Sequence, residues 1–512
     1  MNKIIFTAII ILAAQLLSAQ VPEEALRLSW KPQMGTARNQ AIGGAMGSLG
    51  GDASTAMVNP AGLAFFKTSD VIITPGFGFT KGTGIYRETT SKGTSQKNFN
   101  LGTSGFVLGG FGYKAKNSFS ITATQVADFN QTISYKGQNN YSSFAEPLAD
   151  EFAASGLTID QALNSNNISL PTKMALYTYL VDTATVGGNK QVIARSEFTS
   201  ILNQEHFSQI IGGITEITAG FAHELNKKIL LGLSLGIPIV KIDRNTYYRE
   251  SDATSNTDND FNYMAYRENF NLKGAGLNLK GGLIYRPKEY IRLGLAFHSP
   301  EMMMLTETFN SGMAADLEKL FFPNTGYDSV GSSTISGNST EVYKYSTNTP
   351  GKIILSGSYV FREVENINRQ KGFITADIEY VNYKWMSFGT SEEETSETKE
   401  YYKPFNDAID AIYKSAFNFR LGGELKFKII MARLGFAYYS NPYKDKELKA
   451  SKMNLSGGLG YRHKGIFLDL TYVHHINKDV NFPYRVSAPR TNTFANLKET
   501  GGNVLLTVGF KI

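Results

Sequence analysis

The residues able to do chemistry come close to several reactive patterns and complete none of them. His223-Glu224 opens like a zinc-protease helix, but Lys227 stands where the second histidine belongs. Asp258, Asp260 and Asn262 begin like a calcium loop. Tyr263 then replaces the turn glycine and Asn269 the bidentate glutamate, which leaves an opportunistic surface cation site at most. His474 and His475 are neighbours on a strand-like stretch, so they point to opposite faces and do not chelate together. The Gly-x-Ser-x-Gly run from Gly232 to Gly236 lies inside an alternating, strand-like stretch and not at a strand-to-helix turn, so it does not read as a nucleophile elbow. Gly43, Gly44, Gly47, Gly50 and Gly51 lack the Lys-Ser/Thr ending and the strand–helix frame of a phosphate loop. The chain has 0 Cys, which removes disulfides, Cys-ligated zinc, iron–sulfur clusters and thiol nucleophiles together. No enzyme, metal or cofactor is implied, and a net charge of +6 spread thinly over 512 residues does not point to nucleic acid.

The remaining candidates are charged side chains whose meaning depends on the elements that carry them. Alternation with period two recurs from residue 70 to the C-terminus. Leu231, Leu233, Leu235, Ile237 and Ile239 share one face, with Gly232, Ser234 and Gly236 on the other. Fourteen strands are predicted, near 69–86, 99–114, 117–136, 208–225, 228–248, 269–286, 290–308, 343–363, 371–388, 414–427, 429–443, 450–463, 466–480 and 500–512. Most reach the ~9–11 residues that a tilted membrane strand needs. Short turns such as Asn226-Lys227-Lys228 alternate with long loops at about 137–207, 249–268, 309–342 and 389–413. Short turns at one rim and long loops at the other describe an all-β, transmembrane antiparallel barrel.

Composition agrees with a wall between lipid and a packed lumen. Charged residues make up 19%, and 49 Gly accompany 33 Phe and 27 Tyr. Soluble sandwiches and propellers also alternate, but with shorter strands, evenly sized loops or a visible repeat. Tyr359, Phe361, Tyr380, Tyr383, Trp385, Tyr438 and Tyr472 fall near strand ends, where interfacial aromatic girdles lie. Residues 1–19 carry Lys3, an apolar stretch to Leu17 and the small-residue site Leu17-Ser18-Ala19 of a signal peptide. Export with a strand-built membrane domain places the protein in the outer membrane of a Gram-negative-type bacterium.

Residues 20–67 do not alternate. They contain Ala41-Ile42-Gly43-Gly44-Ala45, then Asp52-Ala53-Ser54, then Asn59-Pro60-Ala61-Gly62, close to the mature N-terminus. In order, spacing and position this run resembles the FadL-type transporters of long-chain fatty acids and aromatic hydrocarbons. The resemblance implies a 14-stranded barrel over residues 68–512, plugged by an N-terminal hatch at 20–67 that holds Asn59, Pro60, Ala61 and Gly62. It implies that the Asn-Pro-Ala stretch lies near an inward kink of the third strand, where ligand leaves sideways into the outer leaflet. Passive uptake of a hydrophobic ligand by a monomer, surrounded by outer-membrane lipid and lipopolysaccharide, is what the same resemblance implies. A secretion or surface-assembly accessory barrel that binds protein partners is the alternative function.

Strand three has its own signal. Phe119, Ile121 and Ala123 alternate with Ser120, Thr122 and Thr124, after which Gln125 and Val126 exchange faces and Asp128 follows. A bulge or kink and an ordinary end of the apolar band both fit. Pro238 removes one ladder donor from strand five. Asp377, Glu379, Arg420, Glu424, Arg433 and Asp469 fall on non-apolar faces, as ion pairs that stiffen the lumen or as guides for a ligand carboxylate. Met302-Met303-Met304-Leu305 and Leu320-Phe321-Phe322-Pro323 offer either an outward capture surface or a small loop core. Glu392, Glu393, Glu394, Glu397 and Glu400 read as a solvated outer loop. The second loop is the longest, unlike the capture loops of the family's best-known members, so no loop residue is assigned a ligand contact.

Overall fold

A computed structural model describes residues 22–320, 327–337, 340–362, 371–487 and 489–512. The expected signal peptide and the Phe321-Phe322-Pro323 stretch lie outside the described residues. Fourteen strands close one antiparallel barrel among them. They are β1 (Asp70–Ile73 and Pro75–Tyr86), β2 (Gln96–Leu101 and Ser104–Phe111), β3 (Asn117–Asp128 and Gln131–Asn139), β4 (Leu202–Asn226) and β5 (Ile229–Asp252). There follow β6 (Tyr263–Lys288), β7 (Ile291–His298 and Met302–Asp316), β8 (Glu341–Asn348 and Lys352–Phe361) and β9 (Gly372–Asn382 and Ser387–Thr390). The circuit ends with β10 (Ser415–Phe427), β11 (Ile430–Tyr439), β12 (Ser451–His463), β13 (Ile466–Asn481) and β14 (Ala495–Lys511). β14 returns to β1 with Asp70 opposite Lys511 and Gly76 opposite Leu505. The Lys511 ammonium bonds the Asp70 carboxylate at 2.8 Å across that seam.

The pleat sorts side chains by solvent. Leu231, Leu233 and Leu235 face outward and are exposed, while Ser234 between them is buried. Among the described residues no helix is long and apolar enough to cross a membrane, and the exposed apolar band is carried by the strands. Closure gives every strand two neighbours and removes the edge that hydrocarbon would not tolerate.

β4, β5 and β6 are 25, 24 and 26 residues long and outrun the apolar band. The alternating apolar signal stops near Ile239, where Lys241, Asp243 and Asn245 take over the outer face, but the backbone ladder continues to Asp252. The expected loop at 249–268 therefore shrinks to 253–262, and the one at 309–342 begins only after Asp316. Met302-Met303-Met304-Leu305 belongs to β7 rather than to a loop, with Met302 and Met304 facing out and Met303 and Leu305 buried. The stretch 389–413 is largely a helix, Ser396–Ile412, whose first turn carries Glu397. Prolines mark the ladder breaks. The β5–β6 register skips Pro238, and Pro300 and Pro350 stand where β7 and β8 divide.

Residues 22–66 lie inside the barrel. They form α1 (Pro22–Ser29), α2 (Ala37–Ala41), α3 (Thr55–Val58) and a 3₁₀ turn, Pro60–Phe65. Thr36 caps α2 through its side chain and Asn59 caps the 3₁₀ turn in the same way, with Pro60 at its first position. Ile42, Met46, Leu49 and Val58 pack on Ala296, Ile354, Val360 and Phe373 of the wall. Fully burying one such large side chain contributes ~1.5–3 kcal/mol. Close approach is possible because the wall presents glycine. A Cβ at Gly232, Gly294, Gly422 or Gly435 would overlap the N-terminal segment's backbone.

The second loop carries a small core of its own. Helices α4 (Ala145–Ser155), α5 (Ile159–Asn164) and α6 (Leu170–Tyr177) pack Leu148, Phe152 and Met174 against Tyr248, Tyr266 and Met313 of the tall strands. The hairpin Val181–Val186 with Asn189–Ala194 completes this loop. Tyr383 departs from the girdle assignment: it is buried in a turn, whereas Trp385 two residues on is 62% exposed.

Candidate functional site

Strand three sets the geometry. Its ladder with β4 runs in register from Asn117 to Gln125, skips Val126, and resumes with Ala127 opposite Ile214 and Asp128 opposite Gly213. Phe129 and Asn130 then interrupt the strand, and pairing restarts at Gln131 opposite Ile210. Across the interruption the Phe129 N–H donates to the Gly212 carbonyl at 2.9 Å, and the Gly212 N–H to Asn130 Oδ1 at 3.2 Å. Gly212 has φ +130°, and a Cβ there would overlap the Lys241 carbonyl, so this turn of the wall requires glycine.

Above the break, β3 leaves its other neighbour. Its ladder with β2 covers Ser104–Phe111 against Asn117–Ala123 and goes no higher. Inward Cβ atoms on Gly82 and Gly84 of β1 would lie 2.8 and 2.7 Å from the carbonyls of Thr132 and Ser134. Upper β3 therefore leans over the inner face of β1, and a seam without main-chain pairing separates it from Gln96–Leu101. Side chains span that seam. Gln96 Nε2 donates to Thr132 Oγ1 at 2.6 Å, Asn98 Nδ2 donates to the Asp128 carboxylate, and the Leu101 N–H reaches Gln125 Oε1 at 3.4 Å. Phe77 and Phe99 stand exposed on the outside at this height.

Two cavities lead to the seam. The upper, of about 280 Å³, is walled by Phe144 and Leu148 of the second loop, Tyr248 and Tyr266 of the tall strands, and Phe482 and Tyr484 of the last loop. Burial pushes the Tyr484 hydroxyl above its ordinary range, so it stays a neutral donor to the Ser142 carbonyl at 2.8 Å. The lower cavity, of about 260 Å³, includes Asn98, Asp128, Phe129 and Asn130 of the seam. Both are lined by Glu23 and Arg27, which places α1 as the partition between them. A larger groove of about 1070 Å³ lies on the barrel exterior beside Leu434, Leu459 and Leu470 and faces lipid instead.

Helix α1 is tied at both ends by charge. Glu24 pairs with Arg27 at 3.2 Å and directly with Arg244 of β5, which also holds Glu268 at 3.2 Å and lies 4.1 Å over the Phe270 ring. Glu23 pairs with Arg485, and Lys31 with Glu301 at 2.7 Å. Lys452 donates to the Trp30 carbonyl at 2.6 Å.

The residues singled out in the sequence occupy distinct places. Asn59 Nδ2 donates to the Gly47 carbonyl at 2.6 Å and the Leu283 carbonyl at 3.2 Å, and its Oδ1 accepts from the Ala61 N–H at 3.1 Å. Pro60 and Ala61 abut Gly232 of β5, and Gly62 lies against Thr55. This stretch thus meets β5 and β6, whereas Val126 of strand three shares its cavities with Pro32 and Met34. Arg420 lies between Glu379 at 3.1 Å and Asp377 at 3.6 Å, and Asp377 also accepts from the Gly47 N–H. Arg433 lies between Asp469 at 2.5 Å and Glu424 at 2.6 Å, with Arg38 of the N-terminal segment 3.8 Å from Glu424. Five of these six charges are buried and Glu424 is half-buried, and none of them lines either cavity on the path to the seam. Among the described residues no cluster of three or more metal-ligating side chains forms.

The sequence reading missed the seam and the α1 clamp. The seam had a signal, because Gln96, Asn98 and Asn100 recur with period two on one strand, as do Asn477, Asp479 and Asn481 on another. The clamp had none, since Glu24 and Arg244 are brought together only by closure.

No family model matches the sequence, and no curated protein sequence does. Solved structures do resemble the chain. A FadL homologue of Pseudomonas aeruginosa superposes with TM-score 0.54 at 11% identity, covering 94% of this chain and 99% of that one. The toluene transporter TodX of P. putida gives TM-score 0.52 at 11% identity, with the same coverage. The chain shares their fold. At this identity the likeness concerns architecture, and the ligand of this barrel has to be argued from its own residues.

Proposed function

We propose that the protein is an outer-membrane channel for passive uptake of hydrophobic small molecules, of the acyl-chain or aromatic class. The observation that carries this reading is the path itself: two adjoining cavities run from beneath the outer loops to a wall seam that lacks main-chain pairing. A shared fold with a protein whose title names it a toluene transporter supports it. In this reading residues 1–19 direct export and 20–67 act as the hatch that Asn59, Pro60, Ala61 and Gly62 help to seat. Gln125, Val126 and Asp128 make the kink beside the exit. The lumen charges Asp377, Glu379, Arg420, Glu424, Arg433 and Asp469 hold the hatch rather than the ligand. The barrel works as a monomer among outer-membrane lipid and lipopolysaccharide and needs no cofactor. Removing apolar surface from water, at ~0.8 kcal/mol per CH₂, supplies the binding energy.

Gentle extraction followed by mass spectrometry of the contents, together with uptake in cells with and without the gene, tests the proposal. Co-purified amphiphile and gene-dependent uptake are expected. Unchanged uptake together with a stably co-purifying protein complex would overturn it in favour of an accessory barrel.

A further inference from the structure

The lower cavity is not the apolar pocket that a hydrocarbon alone would need. Part of its lining is apolar: Leu26 and Trp30 come from the N-terminal segment, Val126 and Phe129 from β3 and its break, and Val480 and Leu497 from β13 and β14. Beside these stand six carboxamides, Asn98, Asn100, Asn130, Asn477, Asn481 and Asn503. Several are already bonded to one another or to neighbours. Asn100 Nδ2 donates to Asn503 Oδ1 at 2.9 Å, and Asn477 Nδ2 to Glu499 at 2.9 Å. Apart from Arg27 Nε, which faces the Glu24 carboxylate at 3.2 Å, two buried atoms of lining residues have no hydrogen-bond partner among the described residues: the Trp30 indole Nε1–H, a donor, and Asn477 Oδ1, an acceptor. Such orphans in a native site call for an occupant that satisfies them. A hydroxyl or an amide supplies both complementary functions, a carboxylate supplies an acceptor only, and an alkyl or aryl group supplies neither.

Charge sharpens the choice. Asp128, Asp479 and Glu499 line the cavity. Asp128 is held by Asn98 and Asn130, Asp479 by Tyr443 at 3.2 Å, and Glu499 by Asn477, with His475 3.8 Å away. None of the three pairs with a lysine or arginine among the described residues. Of the two lysines in the lining, Lys478 is exposed and Lys452 is the buried amine, its ammonium 4.3 Å over the Trp30 ring while donating to the Trp30 carbonyl. Arg27 is held by Glu24. Three carboxylates to one such amine disfavour an anionic head group, and low-dielectric surroundings strengthen that repulsion.

We infer that the lower cavity is a head-group site selecting uncharged amphiphiles, with a hydroxyl or amide head among the carboxamides and an apolar tail along Leu26, Trp30 and Phe129. It excludes ionised fatty acids and has no use for bare hydrocarbons. This inference rests on the uptake reading and names its ligand class.

The chain supplies its own reporter. It has 2 Trp, of which Trp30 lines the cavity and Trp385 is exposed on the barrel surface. The full-length Trp385→Phe protein in lipid nanodiscs leaves Trp30 as the sole indole. Three quenchers with one tail and different heads are titrated at pH 8 and compared at equal bilayer mole fraction: 12-bromododecan-1-ol, 12-bromododecanoate and 1-bromododecane. The alcohol is expected to half-quench Trp30 at a concentration at least ten times lower than either of the others. Glu499→Gln and, separately, Asp128→Asn should each cut the alcohol-to-carboxylate ratio about threefold or more, with barrel folding checked by heat-modifiable gel mobility. Equal or tighter binding of the carboxylate overturns the inference, as does equal binding of the bromoalkane, and both leave the channel reading standing. Silence from all three quenchers overturns the channel reading and the head-group preference together.

Discussion

Locking the β2–β3 seam is the most direct perturbation of the proposed exit. Three side-chain bonds close it: Gln96 to Thr132, Asn98 to Asp128, and the Leu101 N–H to Gln125. A neutral bond contributes ~1 kcal/mol net and one to a charged group ~2, so the set amounts to roughly 3–4 kcal/mol, the long Gln125 contact counting least. At ~1.4 kcal/mol per decade that leaves the seam open in about one molecule in 10² to 10³. Because the chain has 0 Cys, an Asn98→Cys, Asp128→Cys double variant offers a single pair of thiols. Bridging them with a short bis-methanethiosulfonate should reduce uptake of a labelled acyl alcohol to the level of cells lacking the protein, and a reductant should restore it. The unbridged Asn98→Ala variant loses ~2 kcal/mol of closure and should open about 30-fold more often, raising uptake wherever seam opening limits the rate. Wild-type uptake by the bridged protein, with bridging verified by mass, would refute lateral exit at this seam and leave the kink a feature of folding alone.

Other perturbations act on the plug, the clamp and the kink. Gly232→Val places a side chain where Pro60 and Ala61 abut the wall. The barrel should still close while the plug seats badly, read as increased single-channel conductance, and unchanged conductance would mean that residues 59–61 do not seal the lumen. Glu24→Gln removes one partner from the buried Arg244, a change that costs ~3–5 kcal/mol in comparable pairs. Faster hydrogen exchange confined to residues 22–30 is expected, and uniform protection would show that α1 is held by packing. Gly212→Ala strains a backbone at φ +130° by ~1–3 kcal/mol and should lower the temperature of gel-shift unfolding. A shift no larger than that of a control such as Gly357→Ala, where an added Cβ meets nothing, would count against the kink's need for glycine.

The barrel was legible because lipid imposes one rule on every strand. Leu231, Leu233 and Leu235 had to alternate with small or polar residues, and each predicted strand has its counterpart in the closed sheet. Strand ends were less legible because the rule stops at the membrane edge. Beyond Ile239 the outer face turns polar while main-chain pairing continues, so periodicity in hydrophobicity reports the lipid and not the ladder. The N-terminal segment was visible as a failure to alternate together with the Asn59-Pro60-Ala61-Gly62 run, but its contact with β5 and β6 depends on three-dimensional closure. The ion pairs are of the same kind: Arg420 and Asp377 are 43 positions apart in sequence and directly opposite in register. Pattern gave the face on which each charge lies, and only the fold gave its partner.

The seam and the head-group site follow from one constraint. In hydrocarbon an unpaired main-chain N–H or C=O costs several kcal/mol, so a wall that opens must be closed by groups that can find substitutes when it does. Gln96 with Thr132 and Asn98 with Asp128 meet that need, because each pair gives up one side-chain bond and leaves the β1–β2 and β3–β4 ladders intact. Whatever passes must replace those bonds at the moment of opening. A hydroxyl or amide does so, whereas an alkyl chain entering alone leaves a carboxylate and its amide partners unsatisfied. The same side chains that shut the wall therefore set the polarity of what it admits, so that gating and selectivity are expected to change together in every substitution at Asn98 or Asp128.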